Sequence, residues 1–131
     1  MYELKIVTEF SAAHNLRNFG GKCEALHGHN WKVEVVVNGS QLDDSGVVLD
    51  FGELKAATRD LIAELDHHYL NELPFFTLHN PSSENIARYI FEGLRDKIND
   101  RRVRVNRVSV WESQDACATY LGQSRDPSSQ A

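Results

Sequence analysis

Two stretches of strict alternation decide what this chain can become. In residues 2–14, YELKIVTEFSAAH, the side chains of Tyr2, Leu4, Ile6, Thr8, Phe10, Ala12 and His14 fall on one face, with Glu3, Lys5 and Glu9 on the other. In residues 27–38, HGHNWKVEVVVN, His27, His29, Trp31, Val33, Val35 and Val37 share a face opposite Asn30, Lys32, Glu34 and Asn38. A period of two marks a strand with one buried and one wet face, and such strands belong to antiparallel sheets. Pairing the two as a hairpin puts the end of the first beside the start of the second. His14, His27 and His29 then meet at one end of one face. The 12 residues between, 15–26, form a loop long enough for function to be expected of it, and Cys23 lies inside it.

The remainder reads as helices followed by strands. After a turn at NGSQLDDSG, Asp50 and Glu53 have the spacing of an N-cap with its reciprocal partner. Leu54, Ala57, Leu61, Ile62 and Leu65 then form a helical stripe, so a helix is expected to about Leu65, with DHHYLNELP as its exit. A second helix opens at NPSSEN, capped by Ser82 or Ser83, and buries Ile86, Ile90, Leu94 and Ile98. Strands follow at about 102–112 and 116–121, the first placing Val108, Val110 and Glu112 on one side. The order ββααββ predicts an α+β architecture: a four-stranded antiparallel sheet with two helices on one face.

Composition agrees with one compact domain. The chain has 131 residues, 41% hydrophobic and 25% charged, which suits a single core. That core is expected over 1–122. Residues 123–131, ending RDPSSQA, offer nothing large and apolar to bury and are expected to be a disordered tail. No run approaches the roughly 20 apolar residues of a membrane span, and the start MYELKIVTEF resembles no signal segment, so the expected compartment is cytoplasm. Two cysteines are too few for a disulfide framework. Cys117 reads as a small core residue. The net charge of −5 argues against a nucleic-acid binder. The run RRVRVNR at 101–107 reads first as a solvated strand face and second as a site for an anion. The sheet has two open edges and a charged outer face, so copies of the chain are expected to join edge to edge.

The histidines carry the chemistry. Two imidazoles in a His-x-His strand lie on one face about 6.5 to 7 Å apart at the backbone. A third at the same end completes three neutral nitrogens with a fourth position open, the donor set of a catalytic zinc ion. A cluster of core histidines bonded to the backbone is the plainer alternative. It must find partners for three adjacent rings, at about 1 to 3 kcal/mol for each buried group left unpaired. In a third arrangement Cys23, at Cys-x3-His spacing, closes the site as a fourth ligand. Asp66 and His67 in LDHHYLN pair a carboxylate with an imidazole, either as a proton relay or as an ordinary solvated helix end. Glu112 follows valines on an inward register. It faces either a ligand with paired N–H donors or the solvent at the strand's end. Arg17, Lys22 and Lys32 are anion contacts by proximity alone.

Taken in order, FSAAH, CEALHGHNW, VVLDFGELK, LDHHYLN, NPSSEN and VWES resemble the 6-pyruvoyltetrahydropterin synthase family over about residues 1–122, and the Cys-x3-His-Gly-His spacing is similar to that of its queuosine-type members. The resemblance implies the tunnelling fold, with subunits joined through their sheets into two stacked trimers and active sites at subunit interfaces. It implies Zn2+ on His14, His27 and His29, with Cys23 as general base and Asp66 with His67 as a proton-transfer dyad. It further implies Glu112 as the anchor of a pterin ring, helped by Ser82 and Ser83. The implied reaction converts 7,8-dihydroneopterin triphosphate to 6-carboxy-5,6,7,8-tetrahydropterin, losing acetaldehyde and triphosphate. A 6-pyruvoyl product is the neighbouring alternative, and a zinc-stabilised binding module is the alternative outside enzymes.

Overall fold

A computed structural model describes residues 1–18, 20–100 and 102–123, apart from the side chains of Lys22 and Cys23. Strand β1, Tyr2–His14, pairs antiparallel with β2, His27–Gly39, over its whole length, from Tyr2 opposite Gly39 to His14 opposite His27. Strands β3, Arg104–Ser113, and β4, Ala116–Tyr120, complete a sheet ordered β1-β2-β3-β4 with every neighbour antiparallel. Between β2 and β3 run α1, Phe51–Ala63, a one-turn α2, Pro74–Leu78, and α3, Ser83–Ile98. The order is the expected ββααββ with one short helix added. Five residues are too few to show a helical stripe, but Pro74 opens that turn with its φ already fixed for a helix. The tail expected at 123–131 lies, from residue 124 on, outside the described residues, as does Arg101.

Helix ends follow local chemistry. Asp50 caps α1, yet its Oδ1 accepts from the amide of Gly52 at 2.7 Å, one residue earlier than the reciprocal box requires. Ser82 rather than Ser83 caps α3, its Oγ accepting from the amide of Asn85 at 3.1 Å. Helix α1 stops at Ala63 instead of about Leu65. Leu65 is nonetheless fully buried, within the turn that follows.

The two longer helices pack on one face of the sheet. Ile6, Phe10, Trp31, Val33, Val35, Val37, Val108 and Val110 from the strands meet Leu54, Leu61, Ile62, Ile86, Ile90 and Leu94 from the helices. Burying such side chains contributes about 1.5 to 3 kcal/mol each, relative to exposure. The inward run weakens at its start, where Tyr2 is about half exposed (49%). On the outer face, Glu34 sits between Lys5 at 3.5 Å and Lys32 at 3.3 Å, and Lys32 also lies over the Trp111 ring. Cys117 belongs to the exposed side and is no core residue, because its register partner Trp111 occupies the outward positions of β3. Two members of the arginine run have structural partners: Arg107 pairs with Glu3, and Arg102 donates to the Val48 carbonyl.

Two bulges interrupt the ladder, both on β3: at Asn106, opposite Val36 and Val37 of β2, and between Trp111 and Ser113. The second falls on Glu112, and bulges re-aim side chains in this way. The free edge of β1 near its C-terminal end is covered by the exit of α1. The amide of His67 donates to the Ser11 carbonyl at 2.6 Å, and the amide of Ala13 to the His68 carbonyl at 3.2 Å.

The last residue of β2 makes the tightest approach. A Cβ on Gly39 would stand 2.5 Å from the Arg102 carbonyl oxygen and 2.8 Å from Val48 Cγ1. Because one obstacle is backbone, Gly39→Ala is expected to cost about 1 to 3 kcal/mol, read as a lowered urea midpoint with an unchanged denaturant slope.

Candidate metal centre and its cavity

The hairpin register assembles the histidines. His14 faces His27 directly across the ladder, and His29 stands two residues further along β2, opposite Ala12. Their ring centroids lie 4.5 Å (14 to 27), 5.2 Å (14 to 29) and 4.8 Å (27 to 29) apart. Trp31, wholly buried, floors the cluster with edge contacts to His14 and His29, its indole N–H donating to the Ala12 carbonyl at 3.3 Å.

Backbone carbonyls decide which nitrogen of each ring is free. His14 Nδ1 lies 2.7 Å from the Pro81 carbonyl and His27 Nδ1 2.7 Å from that of Ala25. A carbonyl only accepts, so both Nδ1 atoms carry the proton and both Nε2 atoms are bare lone pairs. Those two Nε2 atoms face each other at 3.0 Å. With no proton between them the contact is repulsive, and a cation relieves it. Zinc–nitrogen bonds of about 2.0 to 2.1 Å at tetrahedral angles set ligand nitrogens about 3.3 Å apart, close to that 3.0 Å spacing. His29 Nε2 is buried and lacks an aligned hydrogen bond, although the Glu112 Oε1 lies 2.9 Å away. The short distance makes this an electrostatic contact, since the carboxylate is off the line of a ring N–H. Glu112 Oε1 is also 3.8 Å from His14 Nε2, and donor atoms of all four residues lie within 4.8 Å of one another. The donor set fits a divalent ion, with three neutral imidazoles and a carboxylate within reach.

Electrostatics keep the rings in the ligating form. Burial lowers the His14 pKa below its ordinary 6.5, aided by His27 and His29 and opposed by the Pro81 carbonyl and Glu112. Burial also lowers that of His29, against the pull of Glu112.

A cavity of about 480 Å3 opens beside the cluster. His14, His27 and Glu112 form one wall, and Ser82, Ser83, Glu84 and Asn85 at the start of α3, with Asn80, form the other. A side pocket of about 190 Å3 shares Ser83, Glu84 and Glu112 and continues toward β4. The volume suits a small ligand. Thus His14, His27, His29, Glu112, Ser82 and Ser83 come together at one place.

Asp66 and His67 do not join them. They stand at the outer edge of β1, where His67 lines an open depression with Ser11, Ala13, Gly28 and Asn30, and with Ala12 and His29 that alternate with them. Asp66 Oδ1 accepts from the Ser11 amide at 2.9 Å and lies 3.0 Å from His67 Nδ1. The Ser11 N–H is the largest reason that the Asp66 carboxyl is held below its usual range, with His67 adding to it. His67 has φ of 59°, a left-handed backbone uncommon outside glycine. Its amide bond to Ser11 locks that conformation, while its ring is mostly exposed (80%). His68 turns elsewhere, its Nδ1 donating to the Asp66 carbonyl. The backbone of Cys23 lies in a 3-10 turn, Gly21–Glu24, within the β1–β2 loop, and its side chain lies outside the described residues.

Two of the three expected anion contacts are engaged elsewhere. Arg17 spends its guanidinium on the carbonyls of Phe76 and His79, and Lys32 is on the outer face. The Lys22 side chain lies outside the described residues. Reading residue types missed the polar frame behind the cluster, made by Asn15, Asn71, Asn80 and Asn85. Its signal was present as asparagines inside LDHHYLN and NPSSEN.

A family model described as 6-pyruvoyl tetrahydropterin synthase matches residues 3–123. A relative in Archaeoglobus fulgidus, named putative 6-carboxy-5,6,7,8-tetrahydropterin synthase, is 45% identical over 76% of this chain and 83% of its own. One in Synechocystis, named 6-carboxy-5,6,7,8-tetrahydropterin synthase, is 41% identical over 90% and 92%. A relative in Pyrococcus furiosus, named dihydroneopterin monophosphate aldolase, is 38% identical over 81% and 85%. The solved structure of 6-pyruvoyl tetrahydropterin synthase from Caenorhabditis elegans superposes with a TM-score of 0.83 at 28% identity, covering 93% of this chain and 96% of that one. The α+β subunit has the tunnelling fold.

The depressed histidines fix a pH dependence. In the ion-free native protein His14 and His29 stay neutral at a pH where the unfolded chain protonates both, near 6.5. The unfolded state then binds more protons, so stability falls as pH drops through 6.5, by up to about 1.4 kcal/mol per pH unit for each ring. Urea titrations in chelator at pH 7.5 and 5.5 are expected to show this loss, and His14→Asn is expected to show less of it.

Proposed function

We propose that this chain, which belongs to the 6-pyruvoyl tetrahydropterin synthase family, is the enzyme that converts 7,8-dihydroneopterin triphosphate to 6-carboxy-5,6,7,8-tetrahydropterin. One water is consumed, acetaldehyde and triphosphate leave, and the product enters 7-deazaguanine and queuosine synthesis. The observation that carries the metal half of this reading is the pair of bare imidazole nitrogens facing each other at 3.0 Å beside a cavity. The pterin half rests on the family and on the two relatives named for the 6-carboxy product.

Within this reading His14, His27 and His29 hold Zn2+. The ion supplies Lewis acidity that lowers the pKa of the substrate's side-chain hydroxyls. The Cys23 thiolate removes the proton from the adjacent carbon. Glu112 receives the paired N–H groups of the pterin ring, and Ser82 and Ser83 line the facing wall. Its 2.9 Å approach to His29 keeps that carboxylate in the cavity wall beside the cluster. Asp66 holds His67 through their 3.0 Å contact, setting the ring to carry a proton. Because His67 lines a depression other than the cavity between the histidines and α3, in this reading the dyad completes the site of a neighbouring copy rather than its own. Copies join through the open stretches of β1 and β4 as two stacked trimers. Among the described residues no helix is long and apolar enough to cross a membrane, which accords with action in the cytoplasm.

Incubation with dihydroneopterin triphosphate tests the reaction. Acetaldehyde and the 6-carboxy product are expected with zinc present and neither after chelation. Turnover without acetaldehyde points to the 6-pyruvoyl product instead.

Cys23→Ala is expected to keep one zinc per chain while lowering turnover at least about a thousandfold. Joint loss of metal and fold makes Cys23 a structural ligand, as in a zinc-stabilised binding module. Glu112→Gln is expected to weaken pterin binding about 10- to 100-fold at unchanged zinc content. Loss of zinc in that variant would make Glu112 a ligand.

A further inference from the structure

The strap from the second half of α2 to the start of α3, residues 76–81, reaches the cavity at Asn80, and four of its carbonyls accept side-chain hydrogen bonds. Arg17 Nη2 donates to Phe76 at 2.6 Å and to His79 at 3.1 Å. Asn85 Nδ2 donates to Asn80 at 2.9 Å, and His14 Nδ1 to Pro81 at 2.7 Å. The Asn80 side chain imitates one rung of a β-ladder: its Oδ1 accepts from the Arg17 amide at 2.9 Å and its Nδ2 donates to the Arg17 carbonyl at 2.8 Å. A second rung of the same kind joins Asn71 to both backbone atoms of Asn15, but it touches no residue of the strap.

Pro81 is buried and has no N–H, so its backbone cannot anchor itself by donating. Its carbonyl is placed by what precedes it. We infer that Asn80 is a positioning residue for the metal centre: by tying the strap to Arg17 at two backbone atoms, it holds the Pro81 carbonyl against His14 Nδ1 and so fixes which ring nitrogen of His14 carries the proton. This rests on the reading of His14 as a metal ligand, but the tautomer is a property of the ion-free protein.

The competing state is specific. If the carbonyl drifts away, the His14 proton gains by moving to Nε2, where the bare Nε2 of His27 waits at 3.0 Å. That tautomer satisfies two nitrogens without an ion and removes His14 from the donor set. Partners that orient a ligating histidine through its other nitrogen typically contribute about 10- to 100-fold in metal affinity.

The test compares Asn80→Ala with Asn71→Ala, which removes a rung of equal size. Two readouts are taken: the His14 tautomer in ion-free protein by long-range nitrogen–proton NMR, assigned with His14→Asn, and Co2+ or Zn2+ affinity by chelator competition. In the unaltered protein and in Asn71→Ala, His14 is expected as the Nδ1–H form, with metal affinities within about threefold of each other. Asn80→Ala is expected to show the Nε2–H form, alone or in exchange, and about 10- to 100-fold weaker metal binding. An unchanged tautomer and affinity in folded Asn80→Ala overturns the inference, and so does an equal shift in both variants. Should Asn80→Ala fail to fold, Asn80→Asp, which keeps the bond accepted from the Arg17 amide and loses the one donated to the Arg17 carbonyl, decides it: a tautomer shift supports the inference and retention of Nδ1–H overturns it. If the unaltered protein binds neither metal, the ligand reading fails, while the tautomer measurement still judges Asn80.

Discussion

Two imidazole lone pairs aimed at each other across 3.0 Å form an arrangement that a folded chain keeps only if something holds each ring from behind. Here the holders are two carbonyls, those of Pro81 and Ala25, each 2.7 Å from an Nδ1. One comes from the strap before α3 and the other from the loop that feeds β2. The hairpin brings the rings together, Trp31 closes the floor, and the helices supply the wall opposite. Each is required at once, because a ring free to turn would satisfy its neighbour with a proton and leave no site.

The bulge at Glu112 matters for the same reason. A carboxylate inside a ring of three imidazoles is the one negative group there, and the irregular register between Trp111 and Ser113 sets its place. It opposes the burial that otherwise keeps His14 and His29 neutral. Metal affinity and cavity chemistry therefore share one residue. The names borne by the relatives differ in reaction, as expected where one scaffold hosts sites that differ in their side chains.

What could be read from residues alone was whatever followed a period. The alternation of β1 and β2 gave the pairing His14 to His27, and the stripe of Ile86, Ile90 and Leu94 gave α3. Glu112 was legible as a misplaced charge, though its contact with His29 was not, because a bulge has no signature in an alternating pattern. The partners of the asparagine frame were not legible for a different reason. Asn80 and Asn71 bond to backbone atoms of residues 63 and 56 positions away, and a backbone amide looks alike whichever residue carries it. Cys117 misled because small thiols are so often buried. The separation of Asp66 and His67 from the metal cluster depends on how the exit of α1 lies along the edge of β1, a tertiary fact with no local cue.

The β1–β2 hairpin is a wall with two used surfaces. His14 turns toward the cavity and Ala12 into the core, while Ser11 and Ala13 turn toward the depression that His67 lines. Slipping either strand by a single position would trade these surfaces, sending imidazoles to solvent and small outward residues into the cavity. Over evolutionary time, then, this stretch should lengthen or shorten by two residues at a step, with single insertions confined to the loop at 15–26 or absorbed as new bulges.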